Sequence, residues 1–397
     1  MKLILRIALW SLLTATVCGG TCRAQYIRLD NGNGRDAFYF DISRVANYNC
    51  YERWRWGAGL YWASPGIPIV PQWHVQAYGA YGTKDRQFKY GISIARSYRA
   101  PHWWRPTIGF SDDLTQNTSA TIQNAFSLLN SEDNTLIVAS ELVRQQALNA
   151  GVSARWNLLR VMAELRYMRQ RMLFDNERLL YPAVESEMPD WSHLGELHTQ
   201  LKFRGFTADV RCGTASDLPG WWYARTLLQF EQKLLASEET GDIELFLQTG
   251  HATSLGKASD NPLHQLFEQF DISGSYNSYY YFRNCLLTLP TECFKSDRFV
   301  RGNIRYQSPV VGWEHRLSAP RPFAQVMTTA GRHYTTQDWS LVGETAAGVT
   351  GLLLWDRLDL GCAVAYQFLN VSTGSTSLRP DSDYKRWAFV VSAKLRM

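Results

Sequence analysis

The sequence predicts an all-β fold, a closed antiparallel transmembrane β-barrel of about 14–16 strands. Three observations carry that reading. Apolar and polar side chains alternate with period two in segment after segment, the segments are about ten residues long, and aromatic residues make up 13% of the 397-residue chain. A tilted strand of ~9–11 residues crosses a bilayer, and one apolar face against one polar or small face is what a barrel wall requires. Charged residues are 19% and apolar ones 45%, which excludes a mainly disordered chain. After about the first twenty residues no apolar run approaches the ~18 needed for a spanning helix, which excludes a polytopic helical membrane protein.

The first element is an export signal. Lys2 and Arg6 precede an apolar stretch from Ile7 to Val17, and small and polar residues then lead to Ala24 and Gln25. That is a charged n-region, an apolar h-region and a cleavage region, so residues 1–24 are expected to be a signal peptide and 25–397 the barrel. Removing Lys2, Arg6 and Arg23 from the 41 basic residues leaves 38 against 36 acidic ones. A chain so near neutrality lacks the cationic surface that nucleic acid binding demands. Of the seven cysteines, Cys50, Cys212, Cys285, Cys293 and Cys362 follow the signal, without C-x-x-C spacing that would suggest zinc. Cys285 and Cys293 are spaced to close a loop disulfide or to stay reduced.

The strands follow in order. From Arg53 to Trp62, Trp54, Trp56, Ala58, Leu60 and Trp62 fall on one face, and Arg53, Arg55, Gly57, Gly59 and Tyr61 on the other. Similar dyads run through Phe88 to Ile94, Leu159 to Tyr167 and Val300 to Tyr306. From Arg357 to Phe368 a face of Leu358, Leu360, Cys362, Val364, Tyr366 and Phe368 alternates with small and polar residues. The segment from Arg386 to Met397 repeats the pattern. Aromatic residues near strand ends fit the girdles at the two membrane interfaces. A secreted β-sandwich or propeller also alternates, but with shorter strands and more Gly and Pro punctuation.

Residues Leu136 to Gln170 are rich in Ala, Leu, Arg, Gln and Glu, which are good helix formers. Their alternation nevertheless supports strands at Ala150–Trp156 and Leu159–Gln170 around a turn at Asn157, with a short helix in the preceding loop between Thr118 and Asn130. Breaks are expected at Asn31–Gly34, Pro101–Pro106, Ser111–Asn117, Pro189–Ser192, Ser237–Asp242, Ser259–Pro262 and Ser372–Ser382. The strand number follows from roughly 23–27 residues per strand and connection.

Several stretches resemble a family of uncharacterised outer-membrane barrels of Bacteroidetes, whose longer members begin with a carboxypeptidase-regulatory-like domain. Asn49-Cys50-Tyr51-Glu52-Arg53-Trp54-Arg55-Trp56-Gly57-Ala58-Gly59-Leu60 is similar to the opening segment of that family's barrel. Tyr78-Gly79-Ala80-Tyr81-Gly82-Thr83-Lys84-Asp85 with Phe88-Lys89-Tyr90-Gly91 resembles its next hairpin. Tyr223-Ala224-Arg225, Phe230-Glu231-Gln232-Lys233, Gly250, Gly256, Pro262-Leu263 and Ser296-Asp297-Arg298-Phe299-Val300 follow its later pattern. The resemblance implies insertion by the barrel-assembly machinery and brings no active site. It departs from the family after Glu52, where the usual Gly is missing, and at Met397, where such barrels usually end on an aromatic residue.

No catalytic or cofactor constellation emerges. Gly250 to Lys257 is one residue too long for a phosphate loop and lacks the Ser or Thr after the lysine. Gly32-Asn33-Gly34 lacks the strand and helix of a dinucleotide site. His193 and His198 fall on opposite faces of a strand, and so do Glu314 and His315, so neither makes a metal or acid–base pair. The expected cofactor set is therefore empty.

The polar face offers the remaining candidates. Arg53, Arg55, Arg160, Glu164, Arg166, Arg301, Arg305, Arg357 and Asp359 are predicted to face the lumen. Such a lining could favour anionic solutes or hold the lumen together by ion pairs, and near-neutral net charge favours the latter. The function expected is that of a non-enzymatic integral outer-membrane protein, a conduit for an unidentified small solute or a structural or biogenesis component, whose partner is the bilayer itself. The alternatives are a secreted β-rich surface or polysaccharide-binding protein, and a barrel enzyme that modifies lipid.

Overall fold

The computed structural model describes residues 26–29, 37–41, 46–49, 51–64, 71–98, 103–115, 117, 120, 122, 142–173, 191–256, 261–273, 286–289, 293–310, 320–354, 358–374 and 386–395. The expected signal, Cys285 and the Glu314-His315 pair lie outside them, as does most of the segment between Thr118 and Asn130 where a short helix is expected; its described residues, Ala120 and Ile122, are not helical. The strands are β1 (Tyr26–Leu29), β2 (Ala37–Asp41), β3 (Ala46–Asn49), β4 (Arg53–Ala63), β5 (Gln72–Gly82), β6 (Phe88–Ser97) and β7 (Trp103–Thr115). They continue with β8 (Leu142–Trp156), β9 (Leu159–Leu173), β10 (Ser192–Phe203), β11 (Phe206–Ala215), β12 (Trp221–Ser237) and β13 (Gly241–Gly256). A short helix α1 (Pro262–Gln265) and a 3₁₀ turn (Leu266–Glu268) precede β14 (Phe270–Asp271). The chain continues through β15 (Lys295–Gln307), β16 (Arg321–His333), β17 (Trp339–Leu354), β18 (Leu358–Ser372) and β19 (Trp387–Leu395).

Every pairing is antiparallel and almost every strand pairs with the next in sequence, a meander. β2 and β3 lie end to end along β4, and β13 and β14 along β15. The segments therefore occupy 17 strand positions, above the 14–16 expected. The excess arises because several turns are minimal, with Asn157-Leu158 joining β8 to β9 and Arg204-Gly205 joining β10 to β11, so each strand consumes less chain. Among the described residues no pairing joins β1 to β19, and the sheet is continuous without a closing ladder.

The region rich in helix formers is a hairpin, β8 and β9, turning at Asn157 with φ 51. The helix loses because β9 is hydrogen-bonded along its length to β8 on one edge and β10 on the other, and Met162, Met168 and Gln170 are buried while Leu165 and Tyr167 are exposed. Two expected breaks are strand instead. Trp103 to Pro106 open β7, and Pro106 is tolerated because the continuous β6–β7 ladder stops at Thr107. Ser111 to Thr115 close the same strand. Asp112 and Asp113, which read as turn residues, are held there by Arg144 and Arg55.

The two ends of the sheet differ. At one end most connections are short, such as 157–158, 204–205 and 238–240, with 308–320 the longest, whereas the other end carries the long connections 116–141, 174–191 and 257–294 beside short ones such as 83–87 and 334–338.

The two faces differ more. Along β15, Phe299, Arg301, Asn303, Arg305 and Gln307 are buried, while Val300, Ile304 and Tyr306 between them are exposed. The same exposed face carries Ile92, Leu148, Leu165, Leu197, Val326 and Val364 across the middle of the sheet. Towards the short-turn end it carries Phe38, Trp73, Trp104, Trp156 and Phe203, and towards the other end Tyr81, Phe88, Tyr167, Trp222, Trp339 and Trp387.

The buried face is covered by the chain itself. Leu263, Leu266 and Phe267 pack with Val143, Met168, Leu194, Trp221 and Tyr223. Phe270, Ile272, Leu286, Leu289 and Phe294 pack with Leu227, Phe299, Met327 and Val342, and Leu287 with Phe323, Ala346, Ala363 and Ala365. One connection, between β13 and β15, thus touches strands from β8 to β18, which requires the sheet to curl around it.

Candidate functional site

The nine residues predicted to line a lumen are placed as follows. Arg55 is buried, paired with Asp113 and 3.8 Å from Glu52. Glu164 and Arg166 form an ion pair at 2.6 Å. Arg301 and Arg305 are buried on β15. Arg160 is half-buried beside the β8–β9 turn, directly opposite Arg155. Arg53 departs from the expectation: it is exposed, and as the first residue of β4 it carries φ 61, the left-handed conformation that completes the turn after Glu52. Arg357 lies outside the described residues, and for Asp359 only the backbone place in β18, opposite Lys394, is described.

Glu164 and Arg166 belong to a larger network on the buried face of β8 to β12. Arg166 also reaches Glu196 at 3.3 Å, and Glu196 accepts the Tyr223 hydroxyl at 2.5 Å. His198 meets Asp209 at 2.8 Å through Nε2, and Asp209 further accepts from Gln200 at 3.0 Å and Arg211 at 3.2 Å. Asn149 donates to Glu164. Three carboxylates are thereby faced by Arg166, Arg211 and the adjacent Arg225, so the network has no large excess of either sign. Alternation explains its assembly: Glu164 and Arg166, Glu196 and His198, and Asp209 and Arg211 are each i, i+2 pairs. Antiparallel register sets Glu164 directly opposite His198, and His198 opposite Arg211.

A second polar cluster lies at the long-connection end. Lys89, fully buried, pairs with Glu52 at 2.5 Å and with Asp85, while Tyr78 donates to Asp113 at 2.7 Å. Buried charges of this kind persist only when matched. Here each lysine or arginine has a carboxylate.

The covering connection is fixed by polar contacts as well as by packing. Glu344 on β17 accepts the Leu287 and Thr288 backbone N–H groups at 2.9 and 2.8 Å, and the Thr288 hydroxyl at 2.7 Å. Arg301 donates to the Ile272 carbonyl. Glu268 accepts from Trp221 Nε1 at 3.1 Å and from the Tyr334 hydroxyl at 2.9 Å. A second inward segment follows β7, where Arg225 donates to the Asn117 carbonyl and Gln248 to the Ala120 carbonyl at 2.9 Å.

Ser192 and His264, both buried, meet the exposed Asp217 against Trp221, whose ring stacks on the imidazole at 4.5 Å. The residue types are those of a nucleophilic relay, but the geometry is different. Ser192 donates its hydroxyl proton to Asp217 at 2.8 Å, and His264 faces both Ser192 (3.0 Å) and Asp217 (3.4 Å) through the same nitrogen, Nε2. A relay needs two different ring nitrogens and a histidine that accepts the serine proton. The triangle instead ties α1 to the start of β10 and to the turn between β11 and β12. Burial holds the His264 pKa below the usual histidine range, with Asp217 and Glu268 acting in the opposite sense. Among the described residues no group of three or more His, Cys, Asp or Glu is placed to hold a metal ion.

Glu344, Glu268, Glu196, Asp209 and Asp113 were not among the sequence candidates. Glu344 had a signal: it is the one charged residue in the sixteen of β17. The apolar run Leu286-Leu287-Thr288-Leu289 inside a long connection was a sign of burial. Asp209 and Glu196 had none, since pairing across strands is invisible without the register.

No protein-family model matches the chain, and no curated protein matches it. Among solved structures it is similar to CdiB from Escherichia coli, with 10% identity over 93% of this chain and 67% of that one and a TM-score of 0.46. It is similar to BamA from Haemophilus ducreyi lacking POTRA domains 1–3, with 9% identity over 93% and 75% and a TM-score of 0.45. It is also similar to Wzi of Escherichia coli, an outer-membrane carbohydrate-binding β-barrel involved in capsule assembly, with 9% identity over 94% and 81% and a TM-score of 0.36. Likenesses at this level carry no statement about activity.

Proposed function

We propose that the chain is an integral outer-membrane β-barrel, a non-enzymatic envelope protein whose lumen is filled at rest by its own β13–β15 connection. The observation that carries the reading is the exposed face: Val300, Ile304 and Val326 are each at least half exposed in a belt bordered at both ends by aromatic residues. A contiguous apolar surface of that extent is unstable in water and is matched by a bilayer. Closure completes the reading. From β2–β3 to β19 there are sixteen positions, an even number whose first and last strands run antiparallel, as bacterial barrels require. Among the described residues the edge of β3 away from β4 pairs with no strand, so β19 can dock there. Short turns then face the periplasm and long connections the exterior.

The interior supports a conduit that opens only when the connection moves. Its wall is polar where the network of β8 to β12 lies, and the covering segment is anchored at a few points, Glu344 and Arg301 foremost. Planar-bilayer recording tests this. Wild-type protein is expected to be nearly silent and Glu344→Ala to show stepwise conductance; silence of both, from heat-modifiable protein, would leave a structural role and reject the conduit.

A further inference from the structure

The sheet corner where β4 to β9 meet the short-turn end has an unusual charge pattern. Between residues 54 and 111 the sequence holds one acid, Asp85, which lies in the turn at the opposite end, and residues 147–163 hold none. The connections bordering the corner, 64–71 and 98–102, carry no acid either. Arg96, Arg105, Arg155 and Arg160 all fall there.

Arg96 differs from the other three in its face. It follows Ile92 and Ile94 at period two on the exposed, apolar side of β6 and stands directly opposite Trp73. Its guanidinium lies 5.0 Å from the Trp73 ring and 5.2 Å from the Tyr98 ring, and Tyr98 is stacked on Trp104 at 4.2 Å with the planes 8° apart. Trp73 and Trp104 remain 42% and 40% exposed. Arg96 Nε is withdrawn from solvent and has no hydrogen-bond partner among the described residues. Ring faces offset part of the desolvation of a guanidinium, but among the described residues its planar fork of donors meets no oxygen acceptor. The group that matches a fork of this kind is a carboxylate or a phosphate.

Resting on the membrane orientation proposed above, we infer that Arg96, framed by Trp73, Tyr98 and Trp104, holds the headgroup phosphate of an anionic glycerophospholipid in the periplasmic leaflet. Depth selects the lipid over a soluble anion. Arg96 sits at the margin of the apolar belt, where the tryptophan rings occupy the headgroup level and lipid phosphates are the available acceptors. The acid-free surroundings supply the long-range part, since a cation strengthens attraction to anionic lipid only within about a Debye length of the headgroup.

Native mass spectrometry of the full chain released from nanodiscs of equal phosphatidylglycerol and phosphatidylethanolamine tests the site. The expected result is preferential retention of phosphatidylglycerol, reduced about fivefold in Arg96→Gln and unchanged in Arg204→Gln, which removes the same charge from an exposed turn at the same end. Arg96→Lys keeps the charge without the fork and is expected to fall between. Equal retention of the two lipids, the result if an acidic periplasmic protein is the natural occupant, overturns the proposal, and so does an Arg96→Gln protein that retains phosphatidylglycerol like wild type. Failure of wild type to enter the discs overturns the membrane reading and this site together; entry followed by equal retention overturns the site alone.

Discussion

The Glu344 carboxylate, midway along β17, accepts both the backbone N–H and the hydroxyl of Thr288 in the β13–β15 connection, at 2.8 and 2.7 Å. With the Leu287 N–H as a third donor at 2.9 Å, this one side chain satisfies a stretch of backbone that pairs with no strand among the described residues. Glu344→Ala leaves three buried donors without an acceptor and is expected to weaken docking of the connection by about 3 kcal/mol or more. Limited proteolysis between residues 274 and 292 measures it: cleavage should accelerate in the variant while the strands stay resistant. Equal cleavage rates would show that packing of Leu286, Leu289 and Phe294 alone holds the segment.

The β8–β12 network predicts an asymmetry. Arg166→Ala leaves Glu164 and Glu196 facing each other on a buried surface and is expected to cost about 3–5 kcal/mol. Replacing Glu164, Arg166 and Glu196 together by Gln, Met and Gln should cost less than Arg166→Ala alone, because no charge is stranded. The temperature at which the folded gel form converts to the unfolded one reports both.

Acid should loosen the connection through His264. Its folded pKa is lowered by burial, so the unfolded or undocked state binds the proton more readily. The stability that neutral His264 contributes is complete above the unfolded pKa near 6.5 and declines as pH falls below it. Proteolysis of the connection is therefore expected to be faster at pH 5 than at pH 8, and Gln in place of His264 should flatten that difference. A pH dependence that survives the substitution would assign it elsewhere.

The exposed belt gives a depth-dependent prediction. Ile304→Arg, mid-strand on β15, is expected to destabilise the protein in a bilayer by about 2–4 kcal/mol, and a charge placed near a strand end by about 0–1 kcal/mol. Folding titrations in lipid vesicles check the ratio. Equal, small costs would mean that the face meets water.

Much of the fold was legible in the sequence, for a simple reason. Period two survives in β4, β6, β15 and β18 because each face has one environment throughout, and a hairpin at Asn157 followed from the same alternation despite helix-favouring composition. What could not be read was anything that depends on register or on a connection folding back. Asp112 and Asp113 looked like turn residues because their partners, Arg144 and Arg55, are distant in sequence. Arg53 reads as a polar-face residue like Arg55, but the turn at Glu52 ends on it, and its positive φ, which no Gly or Pro announces, accompanies an exposed side chain at the first position of β4. Among the candidate residues, Arg55, Arg166 and Arg301 were visible as arginines on a polar face, whereas their acidic and backbone partners were not.

Cell fractionation followed by gel mobility with and without boiling tests the central claim most directly. A closed barrel in the outer membrane predicts recovery in that membrane and a compact form that shifts on heating. Recovery in a soluble fraction, with one mobility before and after boiling, would contradict the membrane assignment, the filled lumen and the lipid site alike.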